Sequence, residues 1–135
     1  MMLYLKSNTR PDIYFAYHQC DRFIHNTKES HETAVKIIFG YLQGAKYNGL
    51  VFRSFKELVV DCYADADFAR LWGHENHQDP ICDMSITGFA VTFSNCPLLW
   101  VSKIQTEIAL STLHSEYVAF FHSVRALLPL NSLIK

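Results

Sequence analysis

The chain has 135 residues, 50% of them hydrophobic and 19% charged, with a formal net charge of −1. That length suits one compact domain with a buried core, and the composition excludes an intrinsically disordered chain. No run of eighteen apolar residues occurs and the opening Met1-Met2-Leu3-Tyr4-Leu5-Lys6 is too short for a signal peptide, so the expectation is a soluble intracellular protein, cytoplasmic or nuclear, with no membrane partner.

The charge is unevenly spread. Residues 1–56 hold eight Lys/Arg against four acids, and residues 57–135 hold four against nine. A basic half could touch a polyanion and an acidic half could collect cations, although ordinary solvated surface would give the same counts. The four cysteines, Cys20, Cys62, Cys82 and Cys96, are irregularly spaced and lie mostly in apolar settings, so reduced thiols without disulfides are expected.

In chain order, Thr9-Arg10-Pro11-Asp12 reads as a helix start, with Pro11 in the first turn and Asp12 facing the positive end of the dipole. Ile13, Ala16, Cys20, Phe23 and Ile24 then predict one amphipathic helix over about 11–25. Ala34, Ile37, Ile38, Tyr41 and Leu42 predict a second, stopped by Gly44, and the two would form a helical hairpin. Asn48-Gly49 signals a turn, with a short strand at Leu50-Val51-Phe52.

From Lys56 the pattern turns to β. Leu58–Tyr63 reads as a buried strand, Ser85–Phe93 as another with Gly88 marking a bulge or close approach, and Leu98–Lys103 as a third after the Asn95-Cys96-Pro97 break. Three strands in succession predict an antiparallel meander. Arg70–Pro80, polar and His-rich, reads as a surface loop. Thr112 would cap a helix with Tyr117, Phe120, Phe121, Val124, Leu127 and Leu128 on its stripe, ended or kinked at Pro129, after which the last six residues trail away.

Asp61, Asp65 and Asp67 share strand parity if the first strand runs on, which would put three carboxylates on one face. They repel one another unless a cation sits among them, and hard oxygen donors suit magnesium or manganese; the alternative is that they are turn acids at a strand end. His74, His77 and Cys82 make a weak match to a zinc site. The other histidines, His18, His25, His31, His114 and His122, read as helix-surface or cap residues. Trp72 and Trp100 could stack on bases if exposed, though core packing is the favoured reading. No phosphate-binding glycine loop and no nucleophile elbow is present.

Taken together, Thr9-Arg10-Pro11-Asp12-Ile13, Tyr63-Ala64-Asp65-Ala66-Asp67-Phe68-Ala69, Thr87-Gly88-Phe89, Trp100-Val101-Ser102-Lys103, Gln105, Ala109-Leu110-Ser111 and Ser115-Glu116-Tyr117-Val118-Ala119 have a familiar order and spacing. The chain resembles the C-terminal region of copia-type LTR retrotransposon polyproteins, where the end of the reverse transcriptase leads into its RNase H domain. The resemblance implies an α+β chain, with a reverse transcriptase tail over 1–55 and a truncated RNase H-like three-stranded meander plus one helix over 56–135.

It also implies Asp65 as the first catalytic aspartate, Glu116 as the catalytic glutamate and Asp67 as a neighbour of the metal. Mg2+ or Mn2+ would be the cofactor, and an RNA–DNA hybrid and the rest of the polyprotein the partners, in a cytoplasmic virus-like particle. Two of about four family ligands are represented, so weak or absent nuclease activity is expected. A non-catalytic nucleic-acid-binding or assembly module and an inert remnant are the alternatives.

Overall fold

The computed structural model describes residues 2–53, 58–69 and 83–134. It is an α+β fold: helices at the N-terminus, a three-stranded antiparallel sheet and a C-terminal helix. The chain forms two compact units, Met1–Val51 and Phe52–Lys135, where its length suggested one. The expected surface loop at Arg70–Pro80, with His74, His77 and Trp72, lies outside the described residues, as does Cys82.

The first unit holds α1 (Met2–Asn8), α2 (Tyr14–Asp21) and α3 (Glu29–Gly44), with 3-10 turns at Pro11–Ile13 and Ile24–Asn26. The single helix expected over 11–25 is therefore broken at both ends. The cause at its start is Arg10, held extended at φ −130 and ψ 73 ahead of Pro11. Helix α1 was not anticipated, because Met2–Lys6 carries helix formers but no cap signal. Its last turn is closed by the Asn8 side-chain amide, which donates to the Tyr4 carbonyl at 2.9 Å.

Helix α3 ends at Gly44 as expected, and at its start the Lys28 N–H donates to His31 Nδ1 at 3.1 Å. Its buried side is centred on Ile38, with Ala34, Val35 and Leu42 half-buried; Ile37 and Tyr41, expected on the stripe, are exposed. Leu50-Val51-Phe52 forms no strand. His18, expected at the surface, is half-buried, and its Nδ1 has no hydrogen-bond partner among the described residues. Burial, then the charges of Lys6 and Arg22, hold its imidazole below the ordinary histidine range.

Two cations sit inside this unit. The Lys6 ammonium lies 4.5 Å from the Tyr14 ring centre and 4.3 Å from that of Tyr17. Arg10 is buried; its guanidinium forks onto Asp12, with Nε donating to Oδ1 at 3.0 Å and Nη2 to Oδ2 at 2.7 Å. Nη1 donates to the Ala45 carbonyl at 3.0 Å, and the Tyr41 hydroxyl donates to Asp12 Oδ2 at 2.7 Å. Asp12 thus serves Arg10 and Tyr41 rather than a helix dipole, and the cluster ties residues 10–12 to the end of α3.

In the second unit β1 (Val60–Asp67), β2 (Ile86–Phe93) and β3 (Cys96–Ile104) pair antiparallel in that order. The strand expected at Leu58–Tyr63 runs later and is not buried: β1 is an edge strand, with Tyr63 62% exposed. Ser94 and Asn95, at φ 47 and 63, form a two-residue hairpin loop between β2 and β3. Strand β3 starts at Cys96 and tolerates Pro97 because it is the other edge and carries an irregularity opposite Val91/Thr92. Gly88 is neither bulge nor close approach; a Cβ there would meet only the Asp65 carbonyl oxygen, at 3.9 Å.

Helix α4 (Thr112–Ile134) packs on β1 and β2. Ser111, not Thr112, caps it: Ser111 Oγ accepts from the His114 N–H at 3.1 Å, and His114 Nδ1 accepts from the Leu110 N–H at 3.3 Å. The expected stripe is inverted. Ser115, Ala119 and Ser123, one helical turn apart, are the buried face, whereas Tyr117, Phe120, Phe121 and Leu128 are exposed. Pro129 does not end the helix, which continues through the residues expected to trail away.

Two outcomes follow from these contacts. Ala119→Leu should cost about 1–3 kcal/mol by overpacking, while Leu110→Ala, at a side chain 87% exposed, should change stability by less than about 0.5 kcal/mol, both read by urea denaturation. The Asp12 carboxyl is held at about 2, first by its hydrogen bond with Arg10 and against the opposing effect of burial. Its contribution to stability is therefore full above the usual 3.8 and is lost as pH falls towards about 2. Thermal melts at about pH 5 and about pH 2.5 should show a smaller acid loss in Asp12→Asn than in the unmodified chain.

Candidate functional site

Strand β1 runs through Asp67, so Asp61, Asp65 and Asp67 do share one face, with Thr92, Gly88 and Ile86 as their partners on β2. Asp65 is exposed, and Asp61 and Asp67 are half-buried. Beyond Asp67 the chain turns through Phe68, and Ala69 takes the left-handed φ of 42. Glu116 sits exposed in the first turns of α4, next to buried Ser115.

What fixes that end of α4 is Gln105, just past β3. It is buried at 3% exposure; its Nε2 donates to Thr87 Oγ1 at 3.0 Å and to the Ser115 carbonyl at 2.9 Å, and its own N–H donates to the Ser85 carbonyl at 2.9 Å. Thr87 pairs with Ala66, the residue between Asp65 and Asp67. One side-chain amide therefore sets the helix that carries Glu116 against the strand pair that carries the aspartates. Ala66 and Thr87 share a face, and by this bridge α4 docks on that face of the strand pair. Gln105 was visible in the sequence only as part of the resemblance. A buried amide has no periodicity that would reveal it.

Among the described residues no group of three or more His, Cys, Asp or Glu side chains is arranged to hold a metal ion. Asp65 and Asp67 are brought to one face of one strand, but Glu116 does not complete a cluster with them. The donors present thus fall short of a magnesium or manganese centre, and hydrolysis would need carboxylates beyond these.

The basic residues of the first unit are largely engaged within it. Lys6 and Arg10 are buried as described, Lys36 pairs with Glu32 at 2.6 Å, and the Lys46 ammonium lies 4.9 Å from the Tyr47 ring centre. Trp100 lies half-buried in β3.

Several known proteins are similar to the chain in sequence. Over 118 residues the chain is 36% identical to the retrovirus-related Pol polyprotein from transposon TNT 1-94 of Nicotiana tabacum, covering 87% of this chain and 8% of that protein. It is 32% identical over 109 residues to the corresponding polyprotein from transposon RE1 of Arabidopsis thaliana, covering 81% and 7%. The chain corresponds to a segment of a copia-type retrotransposon Pol polyprotein. It is also 30% identical over 118 residues to secreted RxLR effector protein 161 of Plasmopara viticola, covering 87% of this chain and 78% of that protein. No protein-family model and no solved structure matches. Relative to the copia-type polyproteins the chain spans less than a tenth of their length.

Replacing Gln105 by Leu removes both bridging hydrogen bonds and leaves Thr87 Oγ1 and the Ser115 carbonyl without that partner. The expected cost is about 2–3 kcal/mol by chemical denaturation, with faster amide exchange in the first turns of α4 than in its middle.

Proposed function

We propose that residues 56–135 form the opening part of an RNase H-like domain, preceded over 1–55 by the tail of a reverse transcriptase. In this reading Asp65 is the first catalytic aspartate, Glu116 the catalytic glutamate and Asp67 a neighbour of the metal. The observation that carries it is the element order: a meander of three antiparallel strands with Asp65 on the first, then a helix with Glu116 near its start, within a segment related to Pol polyproteins.

The substrate would be the RNA strand of an RNA–DNA hybrid. Magnesium or manganese would activate water and stabilise the leaving oxygen once further carboxylates joined Asp65 and Glu116. The chain's own part is to hold two acids on rigid elements registered by Gln105. A purely phosphate-binding role for the basic first unit is less well supported, because Lys6, Arg10 and Lys36 already have partners within it.

The test is to exchange the matched segment of the TNT 1-94 polyprotein for this one and assay cleavage of a labelled hybrid in magnesium and in manganese. The chimera should cut, and Asp65→Asn or Glu116→Gln should each lower the rate by at least about 100-fold, while the 135-residue chain alone should cut weakly or not at all. A folded chimera without metal-dependent cutting, or one indifferent to both substitutions, would sink the assignment.

A further inference from the structure

Helix α4 carries a face of small side chains that meets the sheet and a large apolar face that, among the described residues, stays exposed. Ser115, Ala119 and Ser123 face the sheet. Nearly opposite them, at 3.6 residues per turn, Leu113, Tyr117, Phe120, Phe121, Val124 and Leu128 form a continuous stripe. Five of these six are more than half exposed, from 55% at Phe121 to 79% at Leu113; Val124 is half-buried. The two formal charges of the helix, Glu116 and Arg125, lie on opposite flanks and leave the stripe free of charge.

The spacing of the stripe is symmetric about its middle. From the midpoint between Phe120 and Phe121, Tyr117 and Val124 lie equally far to either side, and so do Leu113 and Leu128. A two-fold axis at that midpoint would set Leu113 against Leu128, Tyr117 against Val124 and Phe120 against Phe121 of an antiparallel second helix. A two-fold interface requires a surface complementary to itself, and this palindrome supplies one. The size also fits: the exposed side chains offer on the order of 600 Å² per chain, at the upper limit of patches on monomers. Two such patches reach about 1,200 Å², the lower bound for specific dimers.

We propose that α4 is the dimerisation surface of this chain, pairing antiparallel with α4 of a second copy about an axis between Phe120 and Phe121. None of the stripe residues is assigned to the hydrolytic chemistry. Two Leu113–Leu128 pairs at the ends, two Tyr117–Val124 pairs inside them and two Phe120–Phe121 pairs at the centre give a packed seam of the kind that left-handed helix pairs form.

Sedimentation of the full chain over roughly 1–100 μM should show a monomer–dimer equilibrium, and Phe120→Glu or Phe121→Lys alone should raise the dissociation constant at least about 100-fold with an unchanged far-UV CD spectrum. Mixed in equal amounts, these two variants should pair again, because the antiparallel register places the new acid against the new amine. Should Phe120→Glu fail to fold, Leu128→Glu probes the same pairing from its periphery. The proposal is overturned by a monomer throughout the range, by dimers indifferent to the substitutions, or by a mixture that stays monomeric. It is equally overturned if the monomer instead uses the stripe to bind phosphatidylcholine vesicles, for α4 is long and apolar enough by composition to meet lipid.

Discussion

A single neutral amide, that of Gln105, holds the second unit in register. Helix α4 presents Ser115, Ala119 and Ser123 to the sheet, and such small side chains let two backbones approach closely without deep interdigitation. Close approach alone does not decide how far along its axis the helix slides. The hydrogen bonds from Gln105 to the Thr87 hydroxyl and to the Ser115 carbonyl do decide it, because the two acceptors belong to different elements, a buried side chain of β2 and the backbone of α4. In a buried setting these bonds are electrostatically stronger than in water, and leaving them unmade is correspondingly costly.

The first unit is organised by charge instead. Its surplus of basic residues suggested an outward role towards a polyanion, yet the structure turns two of the cations inward. Lys6 lies between tyrosine rings, and Arg10 joins Asp12, Tyr41 and the carbonyl of Ala45. A count of charges carries no direction, and direction is what separates a binding surface from an internal clamp.

Strand parity, the end of the second strand at Phe93, the stop at Gly44 and the succession of three strands were legible in the sequence because each depends on local stereochemistry, whereas the break expected at Asn95-Cys96-Pro97 is shorter and Cys96 and Pro97 already belong to β3. The shared face of Asp61, Asp65 and Asp67 followed from parity alone. The inversion of α4 was not legible, since periodicity identifies an apolar stripe but not which of two stripes meets the sheet. Bulk argued for Phe120 and Phe121, whereas the actual contact uses Ala119 and two serines whose hydroxyls are satisfied by the helix's own carbonyls at Thr112 and Phe120. The loss of the strand at Leu50–Phe52 has a similar origin, for three apolar residues after a turn signal specify no pairing partner. How Asp65 and Glu116 stand relative to each other depends on a contact between residues ten apart, Gln105 and Ser115, which no spacing rule encodes.

Among the described residues strand β1 lies at the edge of the sheet, so one row of its backbone N–H and C=O groups is a template for joining the same strand of another molecule. Two β1 strands aligned antiparallel through Ala64 would bring Asp61 opposite Asp67 and Asp65 opposite Tyr63 on one face, crowding six carboxylates together. Like charges placed directly across a strand pair repel, so these acids keep β1 from recruiting its own kind whatever else they do. Neutral replacements such as Asp65→Asn weaken that guard along with any chemistry, and precipitation of the altered protein would mimic the loss of an enzyme's activity.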